Sequence, residues 1–151
     1  MEFGGKYLFG APRQTVWAAL NDTDKLAAAI PGCRQLEWTG PDTLELELQV
    51  NLGIAKPTFK ADLTLSEIDE AVTYTLSGRG RGLLGRAEGA ARISLSDVEG
   101  GTELHFLATG GADNRIMALG KSLIGRSAQS VIDHFFAEFG STFGTTVTPL
   151  P

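Results

Sequence analysis

The sequence predicts an α+β fold, in which a curved antiparallel sheet of about six to seven strands wraps around one long C-terminal helix. Between residues 113 and 143, apolar residues recur at spacings of three, four or eight, which keeps them on one face of a helix. Between residues 43 and 106 they instead alternate with polar residues, as in half-buried strands. A helix of that length cannot bury its apolar face alone, so we expect the sheet to cover it.

The N-terminal part predicts one strand followed by two short helices. Residues 2–9 form the strand, and residues 12–22 form a helix whose first turn tolerates Pro12. Residues 24–30 form a second short helix. Pro31-Gly32 stops it, because proline cannot continue a helix and glycine accepts a turn geometry.

The alternating segments predict the remaining strands. The first runs from Leu44 to Ile54, and the pattern resumes at residues 59–65, 72–76, 91–95 and 104–106. Their connections are too short for crossovers, so the sheet is antiparallel. Glu99-Gly100-Gly101 is a hairpin turn. We expect Gly110-Gly111 to end the sheet, and Asp113 to cap the helix.

The helix and the strands together predict an apolar cavity. Phenylalanines cluster in the second half of the helix, whereas small residues such as Gly120 and Ser127 leave space nearer its start. The predicted ligand-binding residues are Phe59, Leu63, Tyr74, Leu76, Phe106, Leu119, Leu123, Val131 and Phe135. Among them, the hydroxyl of Tyr74 can orient a ligand by a hydrogen bond.

Composition and charge narrow the class of protein. With 151 residues, 42% hydrophobic and 21% charged, the chain fits a globular domain, which we place at residues 1–144 with a flexible tail at 145–151. The net charge of −5 argues against general nucleic-acid binding. The single cysteine, Cys33, fits a reducing compartment. No signal peptide and no apolar run of membrane-spanning length is apparent, so we expect a cytoplasmic protein.

A glycine-rich string at Gly80–Gly85 matches the pattern G-x-G-x-x-G. A dinucleotide site also requires a helix that opens on the glycines, but the following residues alternate as a strand. We therefore expect the glycines to bend the sheet and help keep the cavity open.

Four arginines (Arg79, Arg81, Arg86 and Arg92) cluster around the same hairpin. The simplest interpretation is a solvated strand face. The alternative is that Arg79 and Arg81 dock an acidic partner surface or anionic lipid.

Catalytic and metal-binding patterns are weak. We expect His105 to point to solvent from a strand, and His134 does not face its sequence neighbour Asp133 on a helix. Two isolated histidines make a poor metal site. No histidine lies near Cys33 in sequence, so we interpret it as a partly buried structural residue.

Several strings together resemble one known family. They are VWAALND at Val16–Asp22, LAAAIPGC at Leu26–Cys33, GRGRGLLGRAEGAARISL at Gly78–Leu95, GGTELHF at Gly100–Phe106 and ALGKSLIG at Ala118–Gly125. On these strings the chain is similar to the G-subunit family of carbon monoxide dehydrogenase, within the START-like (SRPBCC) superfamily of helix-grip folds. The resemblance extends over about residues 1–143.

The resemblance implies a non-enzymatic accessory protein without cofactors. Members of the family accompany molybdenum hydroxylases of the carbon monoxide dehydrogenase type and are linked to recruiting them to the cytoplasmic membrane. The superfamily holds apolar ligands, so the resemblance implies a lipid or a quinone. Many relatives continue into a hydrophobic or amphipathic tail, whereas this sequence stops at TVTPLP, by natural absence or by truncation, so we expect a peripheral membrane contact rather than autonomous anchoring.

For such a carrier, we expect a gate at one of two places. One is the loop at Pro31 and Gly32, and the other is the hairpin formed by Gly82, Leu83, Leu84 and Gly85. Two alternatives remain open. One is an enzyme of the cyclase or dehydratase type, which would need an acid or base inside the cavity, and the other is an assembly adaptor with a filled core.

Overall fold

The structure is a computed structural model, and it describes residues 2–49, 53–82, 85–112 and 128–151. Three helices and eight strands are present in these ranges. In chain order they are β1 (Glu2–Phe9), α1 (Arg13–Leu20), α2 (Thr23–Ala29), β2 (Cys33–Trp38), β3 (Thr43–Gln49), β4 (Thr58–Asp69), β5 (Thr73–Gly82), β6 (Gly85–Val98), β7 (Gly101–Ala112), α3 (Ala128–Ser141) and β8 (Val147–Leu150).

The strands form one sheet in the order β2-β3-β4-β5-β6-β7-β1-β8, and every pairing in it is antiparallel. The α+β class, the antiparallel sheet and the C-terminal helix are therefore confirmed. The sheet has eight strands rather than the predicted six to seven. Strand β2 was not predicted: Leu36 is the one buried residue of this edge strand, so its sequence shows no clear alternation.

The C-terminal tail is not frayed, contrary to the prediction for residues 145–151. Strand β8 pairs with β1, with Phe9 opposite Val147 and Lys6 opposite Leu150. Pro149 is tolerated in β8 because an edge strand does not need its missing N–H group on the solvent side.

The predicted ends of two strands were wrong. The described part of β3 reaches Gln49, and Ile54, predicted to belong to this strand, lies in a loop and is fully exposed to solvent. Strand β7 continues through Gly110 and Gly111 to Ala112, so this glycine pair does not end the sheet. The hairpin turn at Glu99-Gly100-Gly101 is confirmed, and Gly100 adopts a φ of 90°, which favours glycine there.

Helix α3 packs its aromatic side chains on the inner face of the sheet. Phe136 and Phe139 are 2% and 0% exposed, and both contact Phe9 of β1 edge to face. Phe106 of β7 lies 5.7 Å from Phe136, between ring centroids. The predicted start of the helix, including Asp113, lies outside the described residues. The described part of α3 packs on the inner face of the sheet, as the apolar pattern of the helix predicts.

Candidate functional site

An apolar cavity of about 350 Å³ lies between the inner face of the sheet and helices α2 and α3. That volume is within the range of small-molecule sites. The lining residues come from every layer of the fold: Leu20, Leu26, Ile30, Pro31, Leu36, Trp38, Leu44, Leu63, Leu65, Tyr74, Leu76, Ala91, Ile93, Phe106, Val131, Ile132, Phe135 and Phe136. Wider depressions on the outer face of the sheet are lined by charged and small polar residues, so they are not comparable apolar sites.

Strand register brings the sheet residues of the cavity together. Leu65 lies opposite Leu76, and Tyr74, Ile93 and Phe106 are aligned across three neighbouring strands. Because side chains alternate along a strand, these aligned residues all point to the same face. The cavity wall is therefore a direct consequence of the period-two pattern.

Most of the predicted ligand-binding residues line this cavity, namely Leu63, Tyr74, Leu76, Phe106, Val131 and Phe135. Phe59 does not line it: its ring lies over Gly80 on the neighbouring strand, farther along the sheet. Leu119 and Leu123 lie outside the described residues.

Sequence reasoning missed lining residues on β2 and on α3. Leu36 and Trp38 were missed because β2 itself was not predicted. Ile132 and Phe136 were missed because a single narrow helical stripe was assumed. The adjacent Phe135 and Phe136 were the available signal, since a helix that packs on a broad sheet buries a wider face.

Tyr74 carries the one hydroxyl group in the described lining. Its side chain is 4% exposed, and its ring packs edge to face on Trp17 at 5.4 Å between centroids. Within the described ranges, no side chain or backbone group forms a hydrogen bond with this hydroxyl. Burial raises the pKa of Tyr74 well above its usual range, so the group stays a neutral donor. It can donate to a polar atom of a ligand.

A second tyrosine, Tyr7 on β1, lies beside the cavity and is hydrogen-bonded to helix α3. The Tyr7 hydroxyl donates to Asp133 Oδ1 at 2.6 Å, and Gln129 Nε2 donates to both groups at 3.1 Å. The pKa of Tyr7 is raised by burial first, and then by its hydrogen bond to Asp133. Tyr7 and Asp133 do not line the cavity, so this cluster positions the helix.

The residues predicted to form a gate fall in two places. Pro31 lines the cavity, and Gly32 follows it with a φ of 74°. A Cβ at Gly32 would lie against the carbonyl oxygen of Gln49. Gly82 and Gly85 face each other at the end of the β5–β6 hairpin, away from the described lining. Leu83 and Leu84 lie outside the described residues.

The two predicted docking arginines differ in their surroundings. Both side chains are exposed on the outer face, and Arg79 lies 3.7 Å from Glu88, from Nε to Oε2. Arg81 instead lies opposite Lys60 and Arg86 on the neighbouring strands.

The remaining candidate groups do not converge. His105 and His134 are both exposed, on β7 and on α3. Cys33 is half-buried, and burial raises the pKa of its thiol, which disfavours a reactive thiolate. In the described ranges, no three His, Cys, Asp or Glu side chains lie close enough together to hold a metal ion.

None of the described helices combines the length and the apolar character needed to cross a lipid bilayer.

Comparison with known proteins places the chain in a family. The family model for the G subunit of carbon monoxide dehydrogenase (CoxG) matches residues 5–144. A crystal structure of a conserved protein from Geobacillus kaustophilus is 22% identical, with a TM-score of 0.79 over 97% of this chain and 99% of its own. One from Chromobacterium violaceum is 13% identical, with a TM-score of 0.70 over 93% and 95%.

A third similar structure is the di-domain ARO/CYC StfQ from the steffimycin biosynthetic pathway. It is 9% identical to this chain, with a TM-score of 0.64 over 93% of this chain and 50% of its own. At these identities the solved structures show the fold alone. No curated protein matches the chain.

Proposed function

Since this chain belongs to the G-subunit (CoxG) family of carbon monoxide dehydrogenase, we propose that it is a non-enzymatic accessory protein that carries an apolar ligand. In this proposal the ligand is a lipid or a quinone, and it occupies the cavity between sheet and helix. The protein would thereby help to couple a molybdenum hydroxylase to the membrane. No resident cofactor is needed for this role.

The apolar cavity is the observation that carries the proposal. Its described lining holds aliphatic and aromatic side chains and no charged group. Transfer of apolar surface from water into such a site contributes about 25 cal/mol per Å². A ligand that buries about 200 Å² would therefore gain about 5 kcal/mol. A bilayer hides the same surface equally well, so extraction from a membrane requires a close fit and a specific polar contact.

Tyr74 supplies that polar contact. The Tyr74 hydroxyl has no hydrogen-bond partner within the described ranges, so it would gain a hydrogen bond when a ligand oxygen reaches it. A quinone or ester carbonyl is a suitable acceptor. A charged head group would remain outside, because the described lining offers no cation to offset its loss of hydration.

The enzyme alternative would place a proton-transfer group in the same cavity. Tyr74 is the one titratable side chain in the described lining, and its raised pKa makes it a poor acid or base near neutral pH. An assembly adaptor with a filled core would not contain an apolar cavity. The cavity and the lack of a suitable acid or base in its described lining therefore both favour a carrier.

Native mass spectrometry of protein purified gently from its own host tests the proposal. We expect a co-purifying lipid or quinone of defined mass, which organic solvent releases. A defined probe, a naphthoquinone with a short isoprenoid chain, should then bind the emptied protein and quench its tryptophan fluorescence. Protein that is consistently empty, and that fails to bind the probe, would count against carriage.

A further inference from the structure

Three cations lie in one row across the outer face of the sheet. Lys60 on β4 is directly opposite Arg81 on β5, and Arg81 is directly opposite Arg86 on β6. All three side chains are exposed, and neighbouring strands are about 4.8 Å apart. Like charges directly opposite each other destabilise a sheet. The Lys60–Arg81 pair therefore costs folding stability, and an external anion that binds beside it would offset the cost.

The excess of positive charge does not continue into the next row. In the next row, Arg79 lies between Asp62 and Glu88, so that row carries no excess of cations. Glu47 lies opposite Lys60 on β3, but no ion pair joins their side chains.

The loop between β3 and β4 extends the same end with an apolar side chain. Gln49 and Thr58 form the last pair before the loop, and Phe59 pairs with Gly82 at the end of the β5–β6 hairpin. Ile54 in this loop is fully exposed, at 106% of its reference area. We call Ile54, Lys56, Lys60, Arg81 and Arg86 the basic rim. Segments 53–60 and 81–86 contain four cations and no carboxylate, in a chain of net charge −5.

We propose that the basic rim docks on a bilayer surface rich in anionic phospholipid, with Ile54 entering the interface. Exposed cations gain from the negative surface potential, and an exposed apolar side chain at the same end of the sheet gains by leaving water. The rest of the sequence has a marked excess of carboxylates over cations, so an anionic surface repels it on balance and favours approach by the rim. The proposal rests on the proposed function, because it names the surface by which a carrier would reach the membrane.

Charge reversal at the rim tests the electrostatic part of the proposal. We expect ligand-free protein to co-sediment with phosphatidylglycerol–phosphatidylcholine vesicles, and not with pure phosphatidylcholine. Lys60→Glu and Arg81→Glu should each weaken binding at least about fivefold. The matched control is Lys6→Glu on β1, three strands away from β5, which should bind like the wild type. Equal losses in all three variants, or no binding by the wild type, would overturn the proposal.

Salt provides a second check of the same contact. Raising the ionic strength from about 0.01 M to about 0.15 M shortens the Debye length from about 30 Å to about 8 Å, so binding should fall steeply. Binding that is independent of salt would contradict a role for the cations.

Substitution of Ile54 tests insertion. Ile54→Ser should weaken binding, whereas Ile68→Ser, at another exposed isoleucine near the opposite end of β4, should not. Ile54→Trp should show a blue-shifted emission on anionic vesicles, and an unchanged emission would refute insertion.

The same experiments separate the docking surface from the carrier function. Vesicle binding without ligand is independent of cavity occupancy. If the protein binds vesicles through the rim but never accepts a ligand, the proposed carrier function is contradicted and the proposed docking surface is supported. A rim that serves an acidic protein instead would show no vesicle binding, and that outcome refutes the proposal.

Discussion

Tyr7 and Asp133, 126 positions apart in sequence, are joined by a hydrogen bond of 2.6 Å from the phenol to the carboxylate. Tyr7 is 1% exposed on β1, and Asp133 is half-buried on α3. The bond holds α3 at Asp133, which directly follows Ile132, a residue that lines the cavity. It therefore fixes the position of one wall of the cavity relative to the sheet.

Removing the Tyr7 hydroxyl should destabilise the fold. Tyr7→Phe leaves Asp133 with Gln129 as its remaining side-chain partner, and a lost hydrogen bond to a charged group costs about 1.5–3 kcal/mol. Chemical denaturation should show a lower free energy of unfolding. Tyr74→Phe is the matched control, because its hydroxyl has no partner within the described ranges and its loss should cost little. An equal effect of the two substitutions would mean that the Tyr7–Asp133 bond contributes nothing.

Alkaline pH should destabilise the protein partly through Tyr7. Its pKa is raised in the folded state by burial and by the Asp133 carboxylate, whereas an unfolded tyrosine titrates near pH 10. The folded state therefore holds the phenolic proton more tightly, and its stabilising contribution is complete below about pH 10 and is lost as the pH rises above that value. We expect the free energy of unfolding to fall more steeply with rising pH for the wild type than for Tyr7→Phe. Chemical denaturation at a series of values from about pH 8 to about pH 11 measures the difference. Parallel pH profiles would contradict this linkage.

How far the sequence predicts this structure depends on the range of each interaction. The alternation on β4 to β7 is a local pattern, so it predicts the inward residues Leu63, Tyr74, Leu76 and Phe106 directly. Strands β2 and β8 carry no such pattern. Their formation depends on pairing with β3 and β1, which lie elsewhere in the sequence.

The polar contacts could not be predicted for a similar reason. Nothing near Tyr7 in sequence indicates Asp133, because the contact exists only once α3 lies on the sheet. The row of Lys60, Arg81 and Arg86 depends on strand register, and a shift by one residue would place these side chains on the other face.

Filling the cavity should block ligand binding without harming the fold. Ala91 lines the cavity opposite Leu76, so Ala91→Leu places apolar volume in empty space. We expect stability to be kept, and the affinity for the naphthoquinone probe to fall at least about tenfold, by loss of apolar contact. Ala90→Leu on the outer face is the matched control and should bind normally. Full affinity in Ala91→Leu would place the ligand elsewhere.

Tyr74→Phe should weaken a carbonyl ligand selectively. The substitution keeps the ring that packs on Trp17 and removes only the donor, so apolar packing is preserved. A neutral hydrogen bond contributes about 0.5–1.5 kcal/mol, which corresponds to a loss of about two- to tenfold in affinity for the naphthoquinone probe. A naphthalene with the same side chain but no carbonyl should bind wild type and variant equally. Titration of both proteins with both compounds by fluorescence quenching measures the difference. If the variant loses affinity for both compounds alike, the hydroxyl supports the shape of the cavity rather than the ligand oxygen.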